Sequence, residues 1–210
     1  MDELDREAAK MEKIMIERMK EDEWITQFDG KEVAKEIKQQ GWVELQGEAY
    51  PFKKLLLDIF TIFIPEEFEL MALEDIERKY PFTQRADYIF SDETTLYSIN
   101  FTKLEEKIDD EQFLQFANGV ISNLRKIHPD MDILSEDSGE LAELGYCYFD
   151  AEISSLDGKL YLFFGIVLVK NEMGLFSFSS PIANGLNWRQ FCKAMLLTVE
   201  YTSEGVETSE

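Results

Sequence analysis

The order of apolar and polar positions divides this chain into helices and strands. From Asp109 onward, apolar residues recur at Phe113, Phe116, Ala117, Val120, Ile121, Leu124 and Ile127. That i, i+3, i+4, i+7 spacing predicts a helix with one buried face, closed by Pro129. A shorter stripe of Val33, Ala34 and Ile37 predicts a helix after Asp29 that stops at Gly41. Trp188, Phe191, Cys192, Met195 and Val199 fall on the buried face of a last helix. All three helices share one start signal. Asp29 with Glu32, Asp109 with Gln112, and Asn187 with Gln190 each set a capping side chain three residues before a Glu or Gln that can reach back. The apolar pairs Phe28/Val33, Ile108/Phe113 and Leu186/Phe191 flank these starts.

Between the helices the pattern shortens to strand length. Ile59–Ile64 is apolar and ends at Pro65, while Asp87–Phe90 and Thr95–Phe101 flank a hairpin connection over Ser91–Thr94. Tyr146–Ile153 leads through Asp157-Gly158 into Leu160–Val169, and a turn at Asn171–Gly174 leads on to Leu175–Ser179. Asp-Gly between apolar runs signals a hairpin, because both turn positions need positive φ. Leu160–Val169 is apolar at nearly every position, so both of its faces must be covered. Two long amphipathic helices are at hand to cover them. The expected fold is therefore α+β: a three-layer α/β/α sandwich with a central antiparallel sheet over residues 51–202. A polar tail over 203–210 is expected to be disordered.

Residues 1–50 read as an N-terminal helical extension. Leu4, Ala8, Met11, Met15 and Met19 keep helical spacing among charged residues. The stripe is narrow and rich in flexible Met, so it suits either packing back onto the sandwich or meeting a partner or a second copy of the chain. Met11, Met15, Met19, Trp24 and Trp42 are the candidate partner-binding residues. Tyr50-Pro51-Phe52 joins the extension to the sandwich and becomes an interface candidate if its rings are exposed as a cluster.

Charge narrows the function. Against 43 acidic residues stand 21 basic ones, a formal net charge of -22. Binding to nucleic acid or to anionic lipid rests on Lys and Arg neutralising phosphate, so neither is expected. The acidity serves solubility or meets a basic partner. No apolar run is long enough to span a bilayer, and the first residues lack the basic and apolar regions of a signal peptide. Cys147 and Cys192 lie in apolar stretches without CxxC spacing and read as buried free thiols, which fits a cytoplasmic location.

The residues of enzyme chemistry are sparse. The single His128 ends a helix at Ile127-His128-Pro129, where its expected role is capping. Asp130-Met131-Asp132-Ile133-Leu134-Ser135 departs from a calcium loop, with Leu134 at a ligand position and no glycine after it, and reads as an acidic solvated loop. Phosphate-loop, dinucleotide, nucleophile-elbow and HExxH signatures are absent from the sequence. No catalytic, cofactor-binding or metal residues are assigned, and no cofactor is expected.

From Ile59 on, the order of elements resembles the PsbP/Mog-like family, which includes an extrinsic photosystem subunit, Ran-binding proteins and bacterial members of unassigned role. The residues that carry it are Ile62-Phe63-Ile64-Pro65-Glu66-Glu67-Phe68, similar to the family's strand, Pro, acidic, aromatic opening. Lys79-Tyr80-Pro81, the Asp87–Phe101 hairpin, the helix from Asp109, the meander from Tyr146 to Ser179, and Pro181 before Trp188 and its helix follow in order. The resemblance implies a non-enzymatic protein-interaction module, an adaptor or chaperone, with a protein partner that is basic or helical, or a homodimer. The alternative is a small-molecule-binding protein or enzyme with a pocket between sheet and helix, near His128, Tyr146, Tyr148 or Asp150.

Overall fold

A computed structural model describes residues 29–45, 48–81, 85–155 and 158–202. Met11, Met15, Met19 and Trp24, with the helical stripe to which they belong, lie outside these residues, as do Phe28 and the tail from 203. The first described helix, α1 (Gly30–Gln40), starts at Asp29, whose carboxylate accepts from the Lys31 N–H. It ends at Gly41, which takes the left-handed conformation (φ 77°) and donates its N–H to the Ile37 carbonyl. Only glycine enters that region without a steric cost, so the stop is written in the residue.

After Gly41, inside the stretch read as a helical extension, the chain is strand. β1 (Trp42–Leu45), β2 (Glu48–Leu57) and β3 (Phe60–Pro65) form an antiparallel meander. β11 (Glu200–Tyr201) closes it into a four-stranded sheet in the order β1-β2-β3-β11. At the end of β2, Lys54 and Leu56 are exposed while Leu55 is half-buried and Leu57 buried, as in a strand with one wet face.

The larger sheet has seven antiparallel strands in the order β4-β5-β6-β10-β9-β8-β7. They are β4 (Glu69–Leu70), β5 (Tyr88–Ser91), β6 (Ser98–Leu104), β7 (Asp132–Leu141), β8 (Leu144–Ser155), β9 (Gly158–Val169) and β10 (Glu172–Pro181). A short α2 (Leu73–Lys79) links β4 to β5. The β8-β9-β10 meander runs without a register break, from Gly145 opposite Leu168 and from Glu172 opposite Val169. β9 lies inside the sheet with Phe163, Ile166, Val167 and Leu168 all buried, as its unbroken apolar run predicts.

Helices cover both faces. α3 (Asp110–Ile127) starts where Asp109 accepts from the Gln112 N–H and ends at His128, whose N–H donates to Leu124. It sets Phe113 and Ala117 against Cys147, Ile166, Leu168 and Met173. Farther along, the stripe leaves the sheet, and Ile127 is 69% exposed. The other face holds the larger core. There α4 (Ile182–Leu197), α1 and the small sheet pack onto Ile99, Phe101, Tyr161, Phe163, Phe176 and Phe178. Phe60 of β3 meets Phe101 of β6 edge-on at 5.5 Å. The two buried thiols, Cys147 and Cys192, are free and belong to different core clusters.

Two elements differ from the sequence reading. α4 begins at Ile182 rather than after Asn187, because β10 stays paired to β9 through Pro181 opposite Leu160. Pro181 lacks an N–H and passes the chain directly from sheet to helix, leaving Asn187 inside it. The acidic stretch after Asp130 is not a loop but β7, an edge strand paired on one side only, to β8. Its acidic residues Asp132, Glu136 and Glu140 face water, so it needs no apolar alternation; an extra residue at Leu134, between Ile133 and Ser135, bends its start.

Candidate functional site

Three clusters of side chains invite a chemical reading. The first joins α2 to the sheet. Lys79 Nζ donates to the Thr95 carbonyl at 2.6 Å and to Ser98 Oγ at 3.2 Å. The Tyr80 hydroxyl lies 2.9 Å from Ser98 Oγ, which lies 2.9 Å from Ser179 Oγ. Burial holds the Lys79 ammonium below its usual range, a trend that favours a base. Ser98, however, is 0% exposed, so a substrate carbonyl has no approach to its oxygen. The cluster pins α2 to the sheet.

The second cluster surrounds Asp150, which is fully buried on the α4 face of β8. Its carboxylate accepts from Ser135 Oγ at 2.5 Å, Tyr161 Oη at 2.9 Å and Arg189 Nε at 2.5 Å. Burial acts to lower the Arg189 pKa, but the charge and hydrogen bond of Asp150, with those of Tyr161, together outweigh it, so the guanidinium is held above its usual value. Burial, with Cys192 and Asp150 adding to it, pushes the Tyr161 phenol well above the usual tyrosine range. These donors and acceptors satisfy one another, so the network ties three strands to α4. Of the residues proposed to line a pocket between sheet and helix, Asp150 sits in this network and Tyr148 stacks on Phe163 at 4.9 Å. Tyr146 is buried, and His128 caps α3 on the opposite face of the sheet.

The third cluster is open. Tyr50, Pro51 and Phe52 of β2, Pro65 of β3, Glu66 and Glu67, and Trp188 and Phe191 of α4 line a cleft of 340 Å³. Its position follows from local structure. The Phe68 N–H donates to the Pro65 carbonyl at 3.1 Å, closing a turn over Pro65-Glu66-Glu67-Phe68. The Glu66 N–H donates to the Pro51 carbonyl at 3.0 Å, and the turn sets the exposed Glu66 and Glu67 along the cleft. Phe68 is buried beneath and meets Trp188 edge-on at 5.7 Å, and Trp188 stacks on Phe178 at 5.0 Å. The floor is thus anchored in the core, while the outer wall at Tyr50 stays wet. Phe191 lies 5.7 Å from Tyr50, 6.1 Å from Phe52 and 5.7 Å from Trp188, and Tyr50 keeps 40% of its surface exposed. Burial, and after it the Glu48 and Glu67 carboxylates, raise the Tyr50 pKa.

The sequence pointed to part of this site. Tyr50 is exposed and Phe52 buried, so the Tyr50-Pro51-Phe52 stretch lines the cleft from rim to core, and Trp42, 38% exposed, stands opposite Pro51 in the β1–β2 register, beside the cleft but not lining it. Trp188 and Phe191 read as plain core residues of the last helix. Helical spacing marks them as apolar without saying that the helix overhangs an open edge.

No protein-family model and no curated protein sequence matches the chain. Its fold, however, is PsbP/Mog-like. The solution structure of cyanobacterial PsbP from Synechocystis sp. PCC 6803 superposes with a TM-score of 0.54 at 8% identity, covering 77% of this chain and 98% of that one. The Ran-binding protein Mog1p of Saccharomyces cerevisiae is similar at a TM-score of 0.46 and 12% identity, covering 72% of this chain and 96% of its own. LpqN, involved in cell envelope biogenesis of Mycobacterium tuberculosis, is similar at 0.43 and 14%, covering 81% and 96%. No described helix is long and apolar enough to cross a membrane.

Proposed function

We propose that this chain is a non-enzymatic protein-interaction module, an adaptor or chaperone, that receives a side chain of a partner protein in the aromatic cleft. One observation carries the reading: four rings converge on an open space whose floor is fixed in the core and whose outer wall, Tyr50, is 40% exposed. Aromatic residues in a concave patch are the usual anchors of protein recognition, because they bury a large area at little entropic cost. A volume of 340 Å³ lies at the lower end of the range for small-molecule sites, roughly 300–1,000 Å³. It suits one protruding side chain better than an enclosed cofactor. The two polar networks support the non-enzymatic reading, since their groups are spent on each other. In the same reading the module works in the reducing cytoplasm, which suits two free thiols.

A photo-reactive phenylalanine analogue at position 50 tests this in the native cell, with the same analogue at Ile127 on the far face as control. A discrete partner crosslinked from position 50, and lost when Phe191→Ser is added, is the expected result. Equal capture from position 127 would overturn the cleft as the docking site.

A further inference from the structure

The cleft pairs apolar rings with exposed carboxylates, and that combination selects a class of guest. Tyr50, Phe52, Trp188 and Phe191 supply the rings, and Glu66 and Glu67 sit exposed beside them. Among the described residues, neither carboxylate takes part in an ion pair. The cations that follow on β2 are engaged elsewhere: Lys53 lies 2.6 Å from Glu69 and Lys54 lies 3.6 Å from Glu200. Glu48 adds a further carboxylate, with Tyr50 Oη 3.4 Å from its oxygen.

An aliphatic guest would fill the space but leave the carboxylates unused. An acidic guest would be repelled by them. A cation gains twice, because ring faces attract positive charge and a partly desolvated site strengthens its attraction to carboxylates. A flat guanidinium does both at once, stacking on a ring while its N–H groups meet a carboxylate. The excess of acidic over basic residues, 43 to 21, steers a basic segment toward the surface and disfavours a second copy as the occupant. Resting on the proposed function, we infer that the cleft receives an arginine side chain presented by a basic segment of the partner protein.

The test uses the full chain labelled with ¹⁵N and reads the Trp188 indole N–H. The probes are a lysine-rich decapeptide with one central arginine and the same peptide with citrulline, which keeps the shape and removes the charge. The arginine peptide is expected to bind about tenfold tighter, equivalent to about 1.4 kcal/mol. In the double variant Glu66→Gln/Glu67→Gln that advantage falls to less than threefold while the citrulline affinity holds. Both positions are exposed, so the variant keeps the fold. Equal binding of the two peptides at Trp188 would overturn the arginine inference and leave the cleft as an apolar docking site. Silence of Trp188 with either peptide would overturn both readings. N-acetyl-arginine amide binding as tightly as the decapeptide would show a receptor for small cations instead. A shift that depends on protein concentration alone would make a second copy the occupant. Either result removes the partner segment.

Discussion

Within two turns, α4 serves two surfaces of opposite character. Trp188 and Phe191 face the cleft, where apolar rings are left open to water. Arg189 and Lys193 face the sheet, where charged groups are closed onto Asp150 at 2.5 Å and Asp137 at 3.2 Å. The usual assignment of apolar to inside and polar to outside is inverted at both. A buried charge is tolerated only when its partners are complete, so the Asp150 network belongs to stability. The cleft rings belong to the core on their inner side and meet water at Tyr50 on their outer side, where the proposed function places a partner. Substitutions in the network are therefore expected to act on folding, and substitutions in the cleft on binding.

The largest effect is expected from Asp150→Ala. It leaves Arg189 partly buried without its counter-charge and the Tyr161 hydroxyl without an acceptor. Breaking a buried pair costs roughly 3–5 kcal/mol, and the 22% exposure of the Arg189 side chain puts this case near the lower end, since water can reach the abandoned charge. A loss of about 3 kcal/mol in urea unfolding, or about 10 °C in Tm, is expected for a domain of this size. The double variant Asp150→Leu/Arg189→Met should recover most of it, because an apolar pair removes both desolvation costs. A single variant within 1 kcal/mol of the parent would refute the structural role assigned to the network.

A smaller loss is expected at the centre of the large sheet. A Cβ added at Gly174 would stand 2.6 Å from Phe101 Cζ and 3.0 Å from Val167 Cγ2. Both neighbours are buried, so Gly174→Ala must displace a ring in a packed layer, at roughly 1–3 kcal/mol. Unfolding by urea reads it directly, and a neutral outcome would mean that the layer yields more easily than its packing implies.

Alkaline pH tests the closed side differently. Burial pushes the Cys192 thiol well above its usual range, with Asp150 adding to it, and does the same to the Tyr161 phenol. Both are neutral when protonated, so the folded state holds its protons after the unfolded chain has released them. Stability is therefore complete below the unfolded values, about 8.5 for cysteine and 10 for tyrosine, and is lost as pH rises past them. Each group contributes a slope of about −1.4 kcal/mol per pH unit. Cys192→Ala should flatten the decline that begins near pH 8.5, whatever its constant cost at neutral pH. An unchanged slope would show that the Cys192 thiol is not shielded.

What was legible in the sequence was local. Asp29, Asp109 and Gly41 fix helix ends through their own side chains or φ, and the two-sided apolar run of β9 announces a covered strand. The small sheet was not legible, because β2 alternates weakly and its partner β3 looks like part of one central sheet. β7 was hidden for a related reason: an edge strand keeps water on its open side, and its acidic residues resemble a loop. The cleft was half legible. Tyr50-Pro51-Phe52 stands out as an aromatic cluster at a junction, but it meets Phe191 across 139 to 141 positions of sequence. Helix periodicity cannot tell a residue over the core from one over its rim, and the Asp150 network, made by four side chains from four elements, has no local signature at all.

The smallest effect on stability, and the most telling, is expected from Tyr50→Ser. Tyr50 is 40% exposed, and its ring contacts Phe191 from the outer side of the cleft. Removing it takes away part of a wet surface and leaves no enclosed cavity, so the cost should stay within about 0.5–1 kcal/mol. Binding of the arginine decapeptide at Trp188 should nevertheless fall by about tenfold, because one wall of the site is gone. Stability and binding would then separate at Tyr50 and coincide at Asp150, where peptide affinity falls only as far as the folded fraction does. If Tyr50→Ser instead unfolds the chain as Asp150→Ala is expected to, the rings of the cleft are core that happens to touch water. The two faces of α4 would then differ in chemistry but not in role.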